Sequence, residues 1–257
     1  MDLVDTHCHI HSSDYQLDPE LVLESAEQAD VNQLICVGTD LKDSRLAVEF
    51  TVTHHSCWAS IGIHPHEAKE YIGKPGLLEQ FSKLARDRKV VAIGECGLDY
   101  YYAHSPKEPQ IQILKFQFEL ALEHNLPLIF HVREAFDDFW PIFDEYKGVR
   151  GVLHSFTDSL LNMEMALKRG LFIGVNGIAT FTKSSEQLKV YKTVPLKNLL
   201  LETDAPYLTP IPYRGTICQP KHVRVTAEFL SNLREENLKQ LSIATTANAQ
   251  KLFRLEK

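Results

Sequence analysis

A closed α/β barrel of the TIM type, (β/α)8, working as a single domain over residues 1–257, is the fold this sequence predicts. Three observations carry the prediction. Short apolar runs alternate with amphipathic stretches from end to end, the pattern of parallel strands covered on both faces and of their crossover helices. The length of 257 residues is typical of one such barrel. Metal-type side chains end several of those runs at positions far apart in sequence, and a barrel gathers such residues at the C-terminal mouth of its strands.

The strands are expected near 2–7, 33–39, 58–63, 90–95, 127–131, 150–154, 171–175 and 198–203. Each is short, continuously apolar and β-branched in part. Between them, 19–30 places Leu21, Val22, Ser25, Ala26 and Ala29 at helical spacing. A helix over 43–54 follows a cap at Asp43 or Ser44. Ile111, Leu114, Phe118, Ala121 and Leu122 form one stripe over 107–125, and 134–146, 159–169 and 184–192 are similar. The region 220–255 reads as helical throughout, with breaks near Asn237 and Ser242. The glycine-rich first turn of a nucleotide-binding sheet is absent, which favours a closed barrel over an open doubly wound sheet.

A net charge of -7 argues against a broad polyanion-binding surface. Nucleic acid would have to be held locally, by bound cations and a few basic side chains. Five cysteines (Cys8, Cys36, Cys57, Cys96 and Cys218) form no CxxC pair and read as reduced, buried thiols. Cys8 should point away from the side taken by His7 and His9. No basic leader and no apolar run of membrane-spanning length is present. The expectation is a soluble cytoplasmic protein with no membrane contact and no obligate protein partner.

The candidate ligands follow from their places at strand ends. His7 and His9 are two apart, so both rings project to one side and one cation can take both. Asp5 shares that side and is placed to orient a ligand ring through a hydrogen bond. Glu95 follows Val90-Val91-Ala92-Ile93-Gly94, where an ionised carboxylate is costly unless paired or bound to metal. His131 and His154 end successive apolar runs and make a second imidazole pair. Asp204 ends the last strand and could both ligate and take a proton from water. Glu202 has the same strand parity and is a candidate acceptor behind the ligands. His64, closing the third strand, is within reach of a phosphate. His11 and His66 are expected in exposed loops, and His54, His55, His104, His124 and His222 at the surface, His222 with a faint claim to substrate. Four imidazoles and two carboxylates suffice for two divalent cations, and paired-cation sites hydrolyse phosphoesters or amides.

In this order the motifs resemble those of the TatD-type metal-dependent hydrolases, of the amidohydrolase-like superfamily. They are Asp5-Thr6-His7-Cys8-His9, Gly62-Ile63-His64-Pro65-His66, Ile93-Gly94-Glu95-Cys96-Gly97-Leu98-Asp99-Tyr100-Tyr101, His131-Val132-Arg133, His154-Ser155-Phe156 and Leu201-Glu202-Thr203-Asp204-Ala205-Pro206-Tyr207-Leu208. The resemblance implies a TIM-type barrel, hydrolase activity, and metal ligation by His7, His9, Glu95, His131, His154 and Asp204. It also implies deoxyribonuclease activity of the 3′–5′ exonuclease type, assigned to several members. One loop departs: the family often continues Tyr-Arg-Gly-Lys-Arg-Asn-Glu-Pro, whereas this chain has Tyr213-Arg214-Gly215-Thr216-Ile217-Cys218-Gln219-Pro220. Two basic residues and a carboxylate are missing from it.

The leading expectation is a metal-dependent phosphodiesterase acting on DNA ends. His7, His9 and Asp204 would hold one cation, His131 and His154 the other, with Glu95 shared and Asp204 as base. Arg133, His64 and Arg214 are the candidate phosphate contacts. Tyr100, Tyr101 and Tyr207 are candidates to stack on a terminal base. Imidazole-rich ligation suits Zn, Mn, Ni or Fe, and the carboxylates also tolerate Mg. The rivals are a hydrolase of a small amide, lactone or phosphoester, and a non-catalytic metal-binding protein.

Overall fold

The computed structural model describes residues 1–102 and 104–255. Among them are eight strands: β1 (Leu3–Cys8), β2 (Val31–Val37), β3 (Cys57–Ile61), β4 (Val90–Asp99), β5 (Leu128–Arg133), β6 (Gly151–Leu153), β7 (Phe172–Val175) and β8 (Leu199–Leu201). The helices are α1 (Pro19–Gln28), α2 (Leu41–Thr53), α3 (Pro75–Leu84), α4 (Lys107–His124), α5 (Phe136–Glu145), α6 (Leu160–Lys168), α7 (Ser185–Thr193), α8 (Val223–Arg234) and α9 (Leu238–Phe253). The strands form one sheet in sequence order, β1 to β8. This is the (β/α)8 architecture the alternation predicts.

Packing divides the chain into two units, Met1–Cys36 with Ser155–Lys257, and Val37–His154. In the first, β1 pairs parallel with β2 (Cys8 opposite Cys36), and β7 with β8 (Val175 opposite Leu201). α9 is anchored on the start of this unit: Ser242 Oγ and Thr246 Oγ1 both donate to the Asp2 carbonyl, at 2.8 and 2.6 Å. In the second, β3 to β6 pair parallel, with Ile61 opposite Ile93, Gly97 opposite His131 and Phe130 opposite Leu153. Phe118 of α4, Phe130 of β5 and Phe139 of α5 pack as tilted and edge-to-face rings at 5.5 and 5.1 Å. Each such pair is worth roughly 0.5–1.5 kcal/mol beyond its burial. Gly97 permits the closest approach in this unit. A Cβ there would lie 1.8 Å from the His131 carbonyl oxygen, and φ is +150°.

Four local expectations are corrected. α2 begins earlier, capped by Asp40, whose carboxylate accepts the Asp43 N–H at 2.7 Å. Asp43 is instead spent on the Thr39 N–H and hydroxyl, and Ser44 Oγ accepts the Gly62 N–H. The helical region 220–255 breaks at Asn237, which caps α9, but not at Ser242, whose hydroxyl is turned onto the Asp2 carbonyl just before β1. α3 was not expected: its one buried side chain is Phe81, too thin a stripe to stand out. β4 runs on to Asp99, whereas β8 stops at Leu201 and leaves Glu202 and Asp204 beyond the strand. All five cysteines are buried, as expected. No helix among the described residues is long and apolar enough to cross a membrane.

His222, expected at the surface, is only 3% exposed, and its Nδ1 accepts the Gln219 N–H at 3.1 Å. Burial, helped by the charge of Lys221, pushes the imidazole from 6.5 down to about 4. Between those values the unfolded chain binds a proton that the folded chain refuses, so stability falls as pH drops through this window. His222→Asn keeps an acceptor without titrating. It is expected to flatten the dependence of Tm on pH between pH 7 and 5, and an unchanged slope would count against this account.

Candidate metal centre

In the first unit three donors converge. His7 Nε2 and His9 Nε2 face each other at 3.2 Å. Asp204 Oδ1 lies 3.7 Å from the first and 3.4 Å from the second. Four ligands placed tetrahedrally at about 2.0–2.1 Å around a cation stand roughly 3.3 Å apart, so this spacing fits a common metal ion. Asp204 reaches it because its backbone adopts φ +64°. Its N–H donates to the His7 carbonyl at 2.8 Å, which ties the residues after β8 to β1. Aspartate tolerates this left-handed conformation better than most residues.

Asp5 supports the turn rather than a ring. Its carboxylate accepts the His7 and Thr203 N–H groups at 3.2 and 2.9 Å and the Thr203 hydroxyl at 2.6 Å. The expectation that it orients an imidazole is therefore corrected: it meets His7 through the backbone. Complete burial outweighs these hydrogen bonds and pushes its carboxyl up to about 8. Glu202 is also buried and accepts the Ser155 N–H at 2.6 Å. Gly174 makes room for it, since a Cβ there would stand 2.4 Å from its carboxylate.

In the second unit Glu95 is the hub. Its Oε1 lies 2.9 Å from His131 Nδ1, 3.6 Å from His64 Nε2 and 3.7 Å from His154 Nε2. The atoms of His64, Glu95 and His131 are close enough to share one ion. The rings differ in chemistry, however. His64 Nδ1 accepts the His66 N–H at 3.2 Å, so a neutral His64 carries its proton on Nε2 and presents a donor, not a lone pair. Burial, the largest influence, keeps that ring neutral, lowering it to about 3. His131 is held from both sides. Nδ1 faces Glu95, and Nε2 faces Asp99 Oδ2 at 3.1 Å. Burial works against its charged form, but the two carboxylates prevail and raise it to about 9. A cation taking Nδ1 displaces that proton.

Asp99 is the residue that sequence reasoning missed. It is completely buried. One oxygen meets both His131 Nε2 and His66 Nε2 (2.9 Å), and the other accepts the N–H groups of Tyr101 and Tyr102. Burial alone would raise its carboxyl; the hydrogen bonds win and hold it well below the usual carboxylate range. A carboxylate behind a metal-binding histidine fixes the ring's tautomer and orientation. The signal was parity, since Asp99 lies four residues after Glu95 on the same strand. His66, expected to be exposed, is half-buried through this contact, and His11 is buried at 8% exposure.

The substrate candidates lie as follows. Arg133 spreads its guanidinium over Tyr101 and Tyr102. Arg214 stacks on Phe181 at 4.0 Å and donates to the Thr209 carbonyl at 2.9 Å. Tyr207 is 64% exposed. Tyr100 is engaged internally, its hydroxyl donating to Asp138 at 2.8 Å with Lys107 over its ring.

A family model described as TatD related DNase matches residues 4–254. This chain belongs to the TatD-related DNase family. As a member it is a metal-dependent hydrolase, in agreement with the resemblance read from its motifs. The uncharacterized metal-dependent hydrolase YabD of Bacillus subtilis (strain 168) is 36% identical over 255 residues, covering 98% of this chain and 99% of YabD. The 3′-5′ ssDNA/RNA exonuclease TatD of Citrobacter rodentium is 34% identical over 261 residues, covering 98% and 97%. Among solved structures, the TatD homolog YJJV of Escherichia coli K12 superposes with a TM-score of 0.90 at 29% identity, covering 99% of this chain and 98% of that one. The TatD fold and both candidate donor sets thus belong to one chain.

Proposed function

We propose that this protein hydrolyses phosphodiester bonds at the 3′ ends of DNA, using two divalent cations. The observation that carries the reading is the donor spacing: His7, His9 and Asp204 lie close together in one set, and in the other His131 and His154 each face Glu95. The kinship with a 3′-5′ ssDNA/RNA exonuclease supports it. Such cations ease deprotonation of water and offset charge on the phosphoryl oxygens. Asp204 accepts the proton of the attacking water. The water oxygen bonds to phosphorus, the bond to the leaving alcohol breaks, and that alcohol takes up a proton. His64 directs its Nε2–H at a phosphate oxygen, and Arg133, Arg214 and Tyr207 contact the strand. We read residues 1–257 as one working domain, active in the cytoplasm, with Zn, Mn, Mg, Ni or Fe as the metal.

The test joins metal analysis to nucleotide release from single- and double-stranded DNA. Chelation is expected to abolish release, and one of these metals to restore it. The altered 216–219 loop and the charge of -7 favour the rival reading, a small amide, lactone or phosphoester as substrate. Turnover of such a molecule, with no nucleotide released at matched enzyme and metal, would decide for it. Bound metal without hydrolysis of any of these would leave a binding protein.

A further inference from the structure

Just beyond β4 two tyrosines stand in a cluster of rings, Tyr102 stacking on His104 at 5.8 Å and meeting His66 edge to face at 5.7 Å. Tyr101 and Tyr102 keep 54% and 52% of their surface exposed. Their backbone is nonetheless fixed, because both N–H groups donate to Asp99 Oδ1, at 2.9 and 3.0 Å. The two rings meet edge to face at 4.9 Å. From the end of β5, Arg133 lays its guanidinium 4.0 Å over Tyr101 and 4.7 Å over Tyr102. Through its other oxygen the same Asp99 holds His131.

Large rings that stay half exposed on a fixed backbone add little to folding. They lose little further freedom when a flat partner arrives, which is the arrangement by which proteins hold unpaired bases. Charge points the same way. At -7 the chain cannot hold a polyanion by a broad basic surface, and stacking is an attraction that does not need one.

We infer that Tyr101 and Tyr102, backed by Arg133, form a base-stacking subsite for the unpaired end of a DNA strand. This rests on the reading of the protein as a DNA phosphodiesterase. Asp99 links the subsite to His131 and so fixes how far the stacked base stands from that ligand.

The test is the affinity of the full-length, metal-loaded protein for a labelled single-stranded decadeoxynucleotide, with phosphorothioate linkages at its 3′ end to slow hydrolysis. A matched strand has its terminal bases removed. Joint Tyr101→Ala and Tyr102→Ala substitution is expected to raise Kd for the base-bearing strand roughly 5- to 150-fold per stacked base lost. Kd for the abasic strand should not move, and phenylalanine at both positions should restore wild-type binding. Equal losses on both strands, or no loss on either, would overturn the subsite, as would a wild type indifferent to the missing bases. Nucleotide release from the unmodified strand reports separately on the activity. Tyrosine-dependent binding without release sinks the hydrolysis reading and keeps the subsite; release with tyrosine-independent binding does the reverse.

Discussion

Asp204→Asn is expected to lower kcat on DNA by roughly 10²- to 10⁴-fold, the usual contribution of a positioned base. The amide is nearly the same size but neither takes a proton from water nor neutralises a cation. Asparagine also accepts the left-handed backbone that Asp204 adopts at φ +64°, and the N–H donated to the His7 carbonyl is unchanged. The melting temperature of the metal-free protein should therefore stay close to wild type. Glu95→Ala should be as damaging, since it removes the oxygen on which His64, His131 and His154 converge. Activity near wild type in either variant, measured as nucleotide release with the metal content determined, would remove that residue from the proposed chemistry.

A second large effect is expected from Asp99→Asn, at a position that touches no reacting atom in the proposed mechanism. The amide keeps the volume and one acceptor for the Tyr101 and Tyr102 N–H groups. Opposite His131 and His66 it places a neutral amide where a carboxylate stood. Loss of such a carboxylate behind a metal-binding histidine typically costs about 10- to 100-fold in metal affinity or activity. The distinguishing readout is recovery: kcat should return toward wild type as free metal is raised, whereas a merely misfolded variant would not respond. Asp99→Glu tests the geometry, because the longer side chain keeps the charge but not the position. If metal titration curves for wild type and Asp99→Asn coincide, Asp99 has no such role.

The sequence makes the framework legible because a β/α barrel repeats one signal many times. Continuous apolar runs near 90–95, 127–131 and 198–203 find their strands, and polar residues that cannot belong to a core mark the strand ends. The six candidate ligands were visible for the same reason: an imidazole or carboxylate ending an apolar run is expensive without a partner. What stayed hidden depends on contacts across the fold. Asp99 escapes because the apolar run ends before Glu95, whereas Gly97 carries β4 on beside β5 as far as Asp99. The burial of His11, in the turn after β1, and of His222, in the short 3-10 turn Pro220–His222, follows from irregular segments whose course no periodicity encodes. Tyr102 was passed over because an exposed aromatic acquires meaning only once Asp99 is seen gripping its backbone.

Gly97 sets a boundary for anyone wishing to retrain this enzyme. With the His131 carbonyl where a methyl group would sit, even alanine would have to force β4 and β5 apart, and the strain would reach the imidazole directly. Mutant libraries aimed at new substrates should therefore spare position 97 and diversify the outward-facing tyrosines after it, where side chains can change without disturbing the scaffold that presents the ligands.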